Sequence, residues 1–486
     1  MGETVKVDLK HPTGNFWMDN GIVVLHGIFG EGEFEIAEVL QSILDCLVQE
    51  TGNEGEYFDA ETMQIRKYNK KNWTYPANLF IKATPQAKKV KLGEKTYFTH
   101  PPIYNLKLSF KGRDICDVCG VINPLTDAKM WNFPFIVDPS KFGNFYPGVK
   151  RGMKLCPRCA VAGLAAYLGW LWRAQGRDTL HIFVFHSELC ELDRLNREVF
   201  EPIRLEAGRG GNVEMAFYGP YIHETSLGLL LELFSHVHSS ERLSEEGRNL
   251  LARLLGALEE SNSAPLRLYA VTGAPGKAFN MNVLKEFARL HSFYRLYESW
   301  IKMLEVDDPY RVLVSVFRQF QTRQSNQYES IWRDKIAWAI LEFGDPFPFI
   351  ESFLFDVRAK EKNPGPLAWG TEEVFEYYGK EVLSMDTSLL KVLKGFGHAL
   401  GGAAQNQNEM GLLYSLRNAK NPDEFFRVLN DAQFRLNLTV PEDLLQVEAG
   451  ERIKGSPWMR VKTLLSIYAM NSYLWAGSTQ SKKEEG

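Results

Sequence analysis

The sequence predicts an α+β protein, with a mixed α/β N-terminal portion that carries a four-cysteine insert, followed by an all-α helical-bundle C-terminal portion. Three observations predict it. Short β-type runs such as His181–His186 and Leu266–Val271 are confined to the first part of the chain. Beyond Asn282 the apolar residues recur at helical spacing almost to the end. Between the two patterns lie the paired cysteines Cys116-Asp-Val-Cys119 and Cys156-Pro-Arg-Cys159.

Taken in order, Gly21–Gly27 reads as a short buried strand ending in a turn, and Glu33–Gln49 as a helix. From 62 to 110 apolar and polar residues alternate, as at Tyr104, Leu106, Leu108 and Phe110, which suggests antiparallel strands and hairpins. A helix is expected over Ala160–Gln175, stopped by Gly176. Val213–Tyr218 reads as a further strand and 222–260 as two amphipathic helices, with Leu266–Val271 the last strand. Gly401–Asn408 reads as a polar glycine loop between helices. The Asn363-Pro-Gly-Pro366 interruption suggests a boundary. The expected domains are therefore 1–360, holding the insert at about 113–172, then 361–476, with 477–486 a disordered tail.

The cysteine pairs carry the most specific chemistry. A C-x-x-C turn presents two thiolates to one ion, and two such turns supply the four tetrahedral sulfurs that zinc prefers. The 36 residues between the pairs exceed the usual ribbon spacing of about 15–20, so two knuckles with a long excursion between them are expected. Four cysteine ligands (Cys116, Cys119, Cys156, Cys159) leave no open position for water, which makes the expected Zn²⁺ structural. Two disulfides, or a thioredoxin-like redox pair, are the alternatives. The remaining cysteines, Cys46 and Cys190, are isolated and read as buried thiols.

Composition narrows the class. The chain has 486 residues, 45% of them hydrophobic, enough for a large core in two or three domains. Sparse cysteine pairing and a polar opening, Met1–Asn15, suggest a protein of a reducing cytoplasm. The longest apolar run, Ala160–Trp172, is short of the roughly 20 residues that span a bilayer, so no membrane partner is expected. A net charge of −4 argues against a uniformly basic nucleic-acid binder. The distribution is uneven, however. Between Ile65 and Arg113 there are twelve Lys or Arg, including Lys70, Lys71, Lys88 and Lys89, against the single acid Glu94. Such an excess suits phosphate; a solvated face on an edge strand is the plainer reading. The excursion adds rings (Trp131, Phe133, Phe135, Phe142, Phe145, Tyr146) among cations, of which Lys150, Arg151 and Lys154 flank Gly148 and Gly152. Arg209, within Gly208–Asn212, is a further candidate for contact with a nucleic-acid backbone.

Enzyme signatures are weak. Gly273-Ala-Pro-Gly276-Lys277 lacks the spacing and the Ser or Thr of a phosphate loop, and the ten histidines are scattered. No catalytic residues are assigned; a zinc-stabilised nuclease or other nucleic-acid-processing enzyme is the alternative.

The order of these features resembles the zinc-finger-bearing large subunit of type I CRISPR effector complexes (Cascade), of the I-A/I-B group. The resemblance rests on a basic α/β part, two widely spaced knuckles and an all-helical C-terminus, with Gly148–Cys159 running straight into an apolar helix. It implies a non-catalytic subunit of a prokaryotic cytoplasmic complex, with the four cysteines as metal ligands. Such a subunit recognises the protospacer-adjacent motif in double-stranded DNA, helps open the duplex and recruits a helicase-nuclease. Its other implied partners are the CRISPR guide RNA and the backbone and handle-binding subunits. No fixed motif of the family marks DNA-reading residues. Lys150, Arg151, Lys154, Arg209, Lys70, Lys71, Lys88 and Lys89 are therefore candidates on charge and chain flexibility alone.

Overall fold

A computed structural model describes residues 3–81, 88–135, 152–207, 212–238, 242–256, 265–276, 279–324 and 327–484. The fold is mixed α/β, with a helical C-terminal half and the four-cysteine cluster in the N-terminal part. The chain forms two compact units: residues 1–214 with 236–291, and residues 215–235 with 292–486.

The first unit begins with β1 (Thr4–Val7), α1 (Phe16–Phe29), β2 (Gly32–Glu35) and α2 (Ile36–Leu47). The segment 21–27, expected as a strand, lies inside α1. Asn15 caps that helix by accepting from the amides of Trp17 and Met18, and all of Trp17–Leu25 is buried, Asp19 and Asn20 included. A helix buried all round has an unbroken apolar run, which pattern alone cannot separate from a buried strand. The strands β3 (Val48–Asp59), β4 (Gln64–Trp73), β5 (Lys89–Leu92) and β6 (Lys95–Phe98) form one sheet in the order β4-β3-β6-β5. A second sheet, β7-β8-β9, joins β7 (Lys111–Ile115), β8 (Ile122–Asp127) and β9 (Lys154–Leu155). Residues 101–110 belong to no ladder, yet Tyr104, Leu106, Leu108 and Phe110 do pack against the core.

The predicted helix over 160–175 is shorter than expected. After β9, α3 (Pro157–Ala165) ends in a single 3-10 turn, and β10 (Leu171–Gln175) pairs antiparallel with β11 (Thr179–His186). Gly176, at φ +58°, therefore turns a hairpin rather than stopping a helix. Next come α4 (Leu189–Leu195), α5 (Glu201–Glu206), α6 (Ile222–His238), which runs from the second unit into the first, and α7 (Glu245–Leu254). The expected strand at 213–218 is absent: the Ala216 amide donates to the Gly228 carbonyl of α6 (3.1 Å) instead of to a ladder. Leu266–Val271 is not the last strand. It belongs to β12 (Arg267–Ala274), which pairs with β13 (Asn280–Phe287) to complete an antiparallel sheet β10-β11-β12-β13.

The second unit contains α8 (Leu290–Met303), which starts in the first, α9 (Pro309–Arg318), a hairpin of β14 (Thr322–Gln324) and β15 (Gln327–Glu329), α10 (Ile331–Leu341) and α11 (Phe347–Asp356). It continues through α12 (Thr371–Glu381), α13 (Thr387–Asn406), α14 (Met410–Asn418) and α15 (Pro422–Leu436). The small pair β16 (Arg452–Ile453) and β17 (Ser456–Pro457) precedes α16 (Trp458–Glu484). The predicted glycine loop at 401–408 is largely helix, because Gly401 lies where any Cβ would come 2.0 Å from the Ala469 carbonyl of α16. Its bare backbone is what lets α13 and α16 approach. Helix α16 also runs through most of the segment expected as a disordered tail. Extending an established helix adds one hydrogen bond per residue fixed, without the cost of nucleation. The core of this unit includes the buried rings Trp300, Phe317, Phe320 and Phe353, with a buried ion pair between Arg333 Nε and Glu224 Oε2 (2.6 Å). Among the described residues, no helix is long and apolar enough to cross a membrane.

Cys46 and Cys190, expected to be buried, are exposed. On α2 the buried stripe is Ile36, Val39, Leu40, Ile43, Leu44 and Leu47, and on α4 it includes Leu189, Leu192 and Leu195, so helical phase turns both thiols outward.

Two outcomes test this packing. Helices α1 and α3 touch where Gly21 meets Ala162, and a Cβ on Gly21 would fall 1.7 Å from the Ala162 carbonyl oxygen. Gly21→Ala is therefore expected to lower stability by about 1–3 kcal/mol or more in a denaturant titration. His236 is 4% exposed; burial and the Arg242 guanidinium pull its imidazole down to about 4, with Glu214 opposing. Because the fold favours the neutral ring, its stabilisation is full above pH 6.5 and is lost as pH falls towards 4, on the order of 3 kcal/mol in all. His236→Leu is expected to flatten that part of the stability-against-pH curve.

Candidate metal centre and neighbouring basic groove

The first knuckle is the turn between β7 and β8. The Cys116 amide donates to the Val121 carbonyl (3.0 Å), and the Gly120 amide donates back to the Cys116 carbonyl (3.0 Å). Gly120 sits at φ +73°, a left-handed conformation that a side chain would strain, so glycine here is what tightens the knuckle. The second knuckle forms where β9 joins β8, through the pairs Thr126↔Leu155 and Asp127↔Lys154. This places Cys156 at the N-cap of α3, with Pro157 in the first turn, where its fixed φ suits a helix start and no amide is missed. Asp117 ties the knuckles from both ends of its own residue: its amide donates to the Lys154 carbonyl (3.0 Å), and its carboxylate accepts from the Lys154 amide (2.7 Å).

The four sulfurs converge. Cys116, Cys119, Cys156 and Cys159 place their Sγ atoms within 4.8 Å of one another, close enough to hold one metal ion. Cys119 Sγ and Cys156 Sγ are 3.6 Å apart, far beyond a disulfide bond, and all six cysteines are free. Cys116, Cys156 and Cys159 are at most 2% exposed, with Cys119 at the open edge. The Cys156 amide donates to Cys116 Sγ (3.4 Å), the kind of contact that supports a thiolate. The thiols also act on one another. Hydrogen bonds from Cys119, Cys156 and Cys159 hold the Cys116 thiol far below its ordinary range, whereas the same crowd of sulfurs, with burial, drives Cys159 far above it. Four thiolates crowded here would repel one another, and a cation among them would relieve that.

The candidate cations fall in different places. Lys150, Arg151 and Arg209 lie outside the described residues. Lys154 is not on a flexible loop: it is half-buried on β9, and its ammonium pairs with Asp127. Arg158 is spent inside the fold, donating to the carbonyls of His11 (2.5 Å) and Asp8 (3.1 Å). Lys70 and Lys71 are exposed on β4, and Lys88 and Lys89 at the start of β5, on a different sheet from the cysteines. That sheet is less basic than the linear count suggested. Strand β3 sets Glu56 opposite Lys67 and Glu50 opposite Lys71, and ion pairs join Lys67 to Glu54 (2.6 Å) and Arg66 to Asp59 (3.0 Å). Lys89 stands 5.7 Å over the Phe98 ring. The excursion rings that are described serve the core: Phe133 is buried, and Phe135 packs on Phe16, Trp17 and Phe133.

What the sequence reading missed is a groove of about 540 Å³ on the cysteine-bearing sheet. Lys107, Lys111, Arg113, Lys129 and Lys154 line it, against the carboxylates of Asp114 and Asp127. The first four cations are exposed. The signal was present in the alternation from Tyr104 to Phe110. With Leu106, Leu108 and Phe110 turned inward, Lys107 and Ser109 face out in line with β7. That Lys129 and Lys154 would join them depended on the closure of the two knuckles. Several of the scattered histidines form separate ties to carboxylates, as in His26–Asp193 (2.9 Å) and His186–Asp19 (2.9 Å), whereas His181 bonds the Thr272 hydroxyl (2.7 Å). Among the described residues, the four cysteines are the one group of three or more His, Cys, Asp or Glu close enough to share an ion.

Compared with known proteins, the chain matches no protein-family model and no curated protein.

Elemental analysis of freshly purified, reduced protein is expected to find about one divalent ion per chain. Cys156→Ser should lose that ion and several kcal/mol of stability, because binding energy at such a centre is also folding energy. Metal-free wild-type protein with an unchanged melting temperature would contradict the assignment.

Proposed function

We propose that the first unit is a nucleic-acid-binding surface stiffened by a structural Zn²⁺ at Cys116, Cys119, Cys156 and Cys159. The observation that carries this reading is the convergence of Lys107, Lys111, Arg113, Lys129 and Lys154 on one groove of the sheet that those cysteines close. Five cations against two carboxylates favour a polyanion, and Lys154, already held by Asp127, contributes least. Zinc is supported by the ligand set and the spacing. Four sulfurs at about 2.3 Å from one ion lie about 3.8 Å apart in a tetrahedron, close to the 3.6 Å between Cys119 and Cys156. Thiolate ligation of this kind fits a reducing cytoplasm.

In its specific form the proposal is the large, non-catalytic subunit of a type I CRISPR RNA-guided surveillance complex. The basic groove then holds the backbone of double-stranded target DNA next to the protospacer-adjacent motif or, at the foot of the complex, the handle of the guide RNA. Base pairing by the guide supplies most of the sequence specificity, so the protein needs little beyond backbone contact and a short motif. The helical unit supplies surface for the backbone and handle-binding subunits and for the recruited helicase-nuclease.

Duplex DNA binding by the full chain, measured across a salt series, tests the groove. The combined variant Lys111→Ala, Arg113→Ala and Lys129→Ala is expected to fold normally, since all three side chains are exposed. It should lower the slope of log affinity against log salt by roughly 2–3 units, at about 0.9 per phosphate contact. An unchanged slope would remove the reading. Motif-dependent binding is expected only when the subunit is assembled with a guide.

A further inference from the structure

A separate cleft of about 750 Å³ lies wholly within the second unit, bounded by the 366–370 loop, the first turn of α12, one face of α13 and the 471–476 stretch of α16. Its rim carries two tryptophans, Trp369 and Trp475, that are 65% and 60% exposed. Rings of this size bury about 150–250 Å² when covered, and exposed ones beside a cleft mark contact surfaces. The same cleft is lined by two carboxylates, Glu372 and Glu373. Glu372 is anchored by hydrogen bonds from Asn471 (2.7 Å) and with His398 (2.9 Å), so its carboxylate is fixed in place. Burial alone would raise its pKa; the bonds to His398 and Asn471 outweigh that and hold the group ionised. Glu373 is partly exposed beside it, and Glu376 follows one turn later; Lys394 is shared among these three carboxylates, at 3.7, 3.2 and 3.3 Å. Three carboxylates against the Lys394 ammonium, with His398 bonded to Glu372, leave this stretch of α12 net negative, and of these acids Glu372 and Glu373 line the cleft.

We propose that this cleft docks an arginine- or lysine-bearing peptide segment of a partner protein, its cation placed against the Trp369 and Trp475 rings and facing Glu372 and Glu373. Both halves of the site select the same chemistry. An aromatic face attracts a cation through its quadrupole, guanidinium most of all, and a fixed carboxylate accepts its N–H groups. A phosphate backbone meets repulsion at the same wall, so this site is distinct in partner from the basic groove and does not depend on that reading.

Gly402 gives a clean way to close the cleft. It lines the wall on α13, and a Cβ there meets nothing within 4 Å, in contrast to Gly401 beside it. Gly402→Leu therefore fills space without displacing backbone and improves helix propensity. The test is calorimetric titration of the full chain with three probes: a six-residue acetylated peptide carrying two arginines, its glutamate-substituted counterpart, and a ten-nucleotide dT strand. The arginine peptide is expected to bind and the glutamate peptide not to. Gly402→Leu should weaken arginine-peptide binding at least tenfold with no drop in melting temperature, and Trp369→Ala, on the exposed loop, should do the same. Glu373→Gln should weaken it several-fold. Absence of arginine-peptide binding, equal binding by Gly402→Leu and Trp369→Ala, or loss of dT binding on Gly402→Leu would each overturn the proposal.

Discussion

Closure of four sulfurs on one point is the constraint from which the order of the cysteine-bearing sheet follows. Cys116 and Cys119 come from a hairpin turn, Cys156 and Cys159 from the head of a helix, and 36 residues separate the two pairs. Joining the ends of so long a segment costs entropy that grows only slowly with its length, so the excursion is a tolerable insertion once the ends are held. Holding them brings β9 onto β8, fixes the start of α3 and sets that helix against α1, where Gly21 lets the two backbones meet closely, while Gly163 lets α3 meet the backbone of Asn132. The same closure has an electrostatic side. Thiols this close and this buried cannot all ionise alone, and the pull on Cys116 and push on Cys159 express that conflict. A cation would remove it, and its binding energy would then also be folding energy.

Charge in this protein is organised across the fold rather than along the chain. The basic stretch between Ile65 and Arg113 divides in two once folded. Its first part lies on β4, where the acids of β3 face it; Glu54 and Asp59 take up Lys67 and Arg66. Its last part, Lys107, Lys111 and Arg113, is joined by Lys129 and Lys154 on the cysteine-bearing sheet. Exposed ion pairs contribute little to stability. They do decide which cations are left to attract a polyanion, and that selection moves the candidate surface from the β4 hairpin to the groove. The second unit differs: Glu372 and Glu373 line its cleft, with Lys394 paired to Glu373.

Several features were legible because they depend on local geometry. The C-x-x-C spacing singled out the four cysteines that converge, apolar periodicity located α2, α6 and α7 and the helical character of the C-terminal half, and Leu106, Leu108 and Phe110 of the alternating stretch pack on the core even though no ladder forms there. Misreadings came where an unbroken apolar run fits two structures. Residues 21–27 are helix in an α1 whose 17–25 stretch is buried all round, and 171–175 are strand because β11 offers an edge. Gly176 and Gly401 illustrate the same ambiguity: glycine marks a turn in one case and a helix–helix contact in the other.

By itself the sequence determined which four cysteines are paired by spacing, the change from mixed to helical character and the presence of a basic excess, since each follows from residue type and spacing. Tertiary structure alone decided that the four thiols meet, which lysines remain unopposed and that two tryptophans more than a hundred residues apart flank one cleft. The physical reason is that pairing, burial and screening act between residues distant in the chain, and no periodicity within a segment records which distant partner it will face.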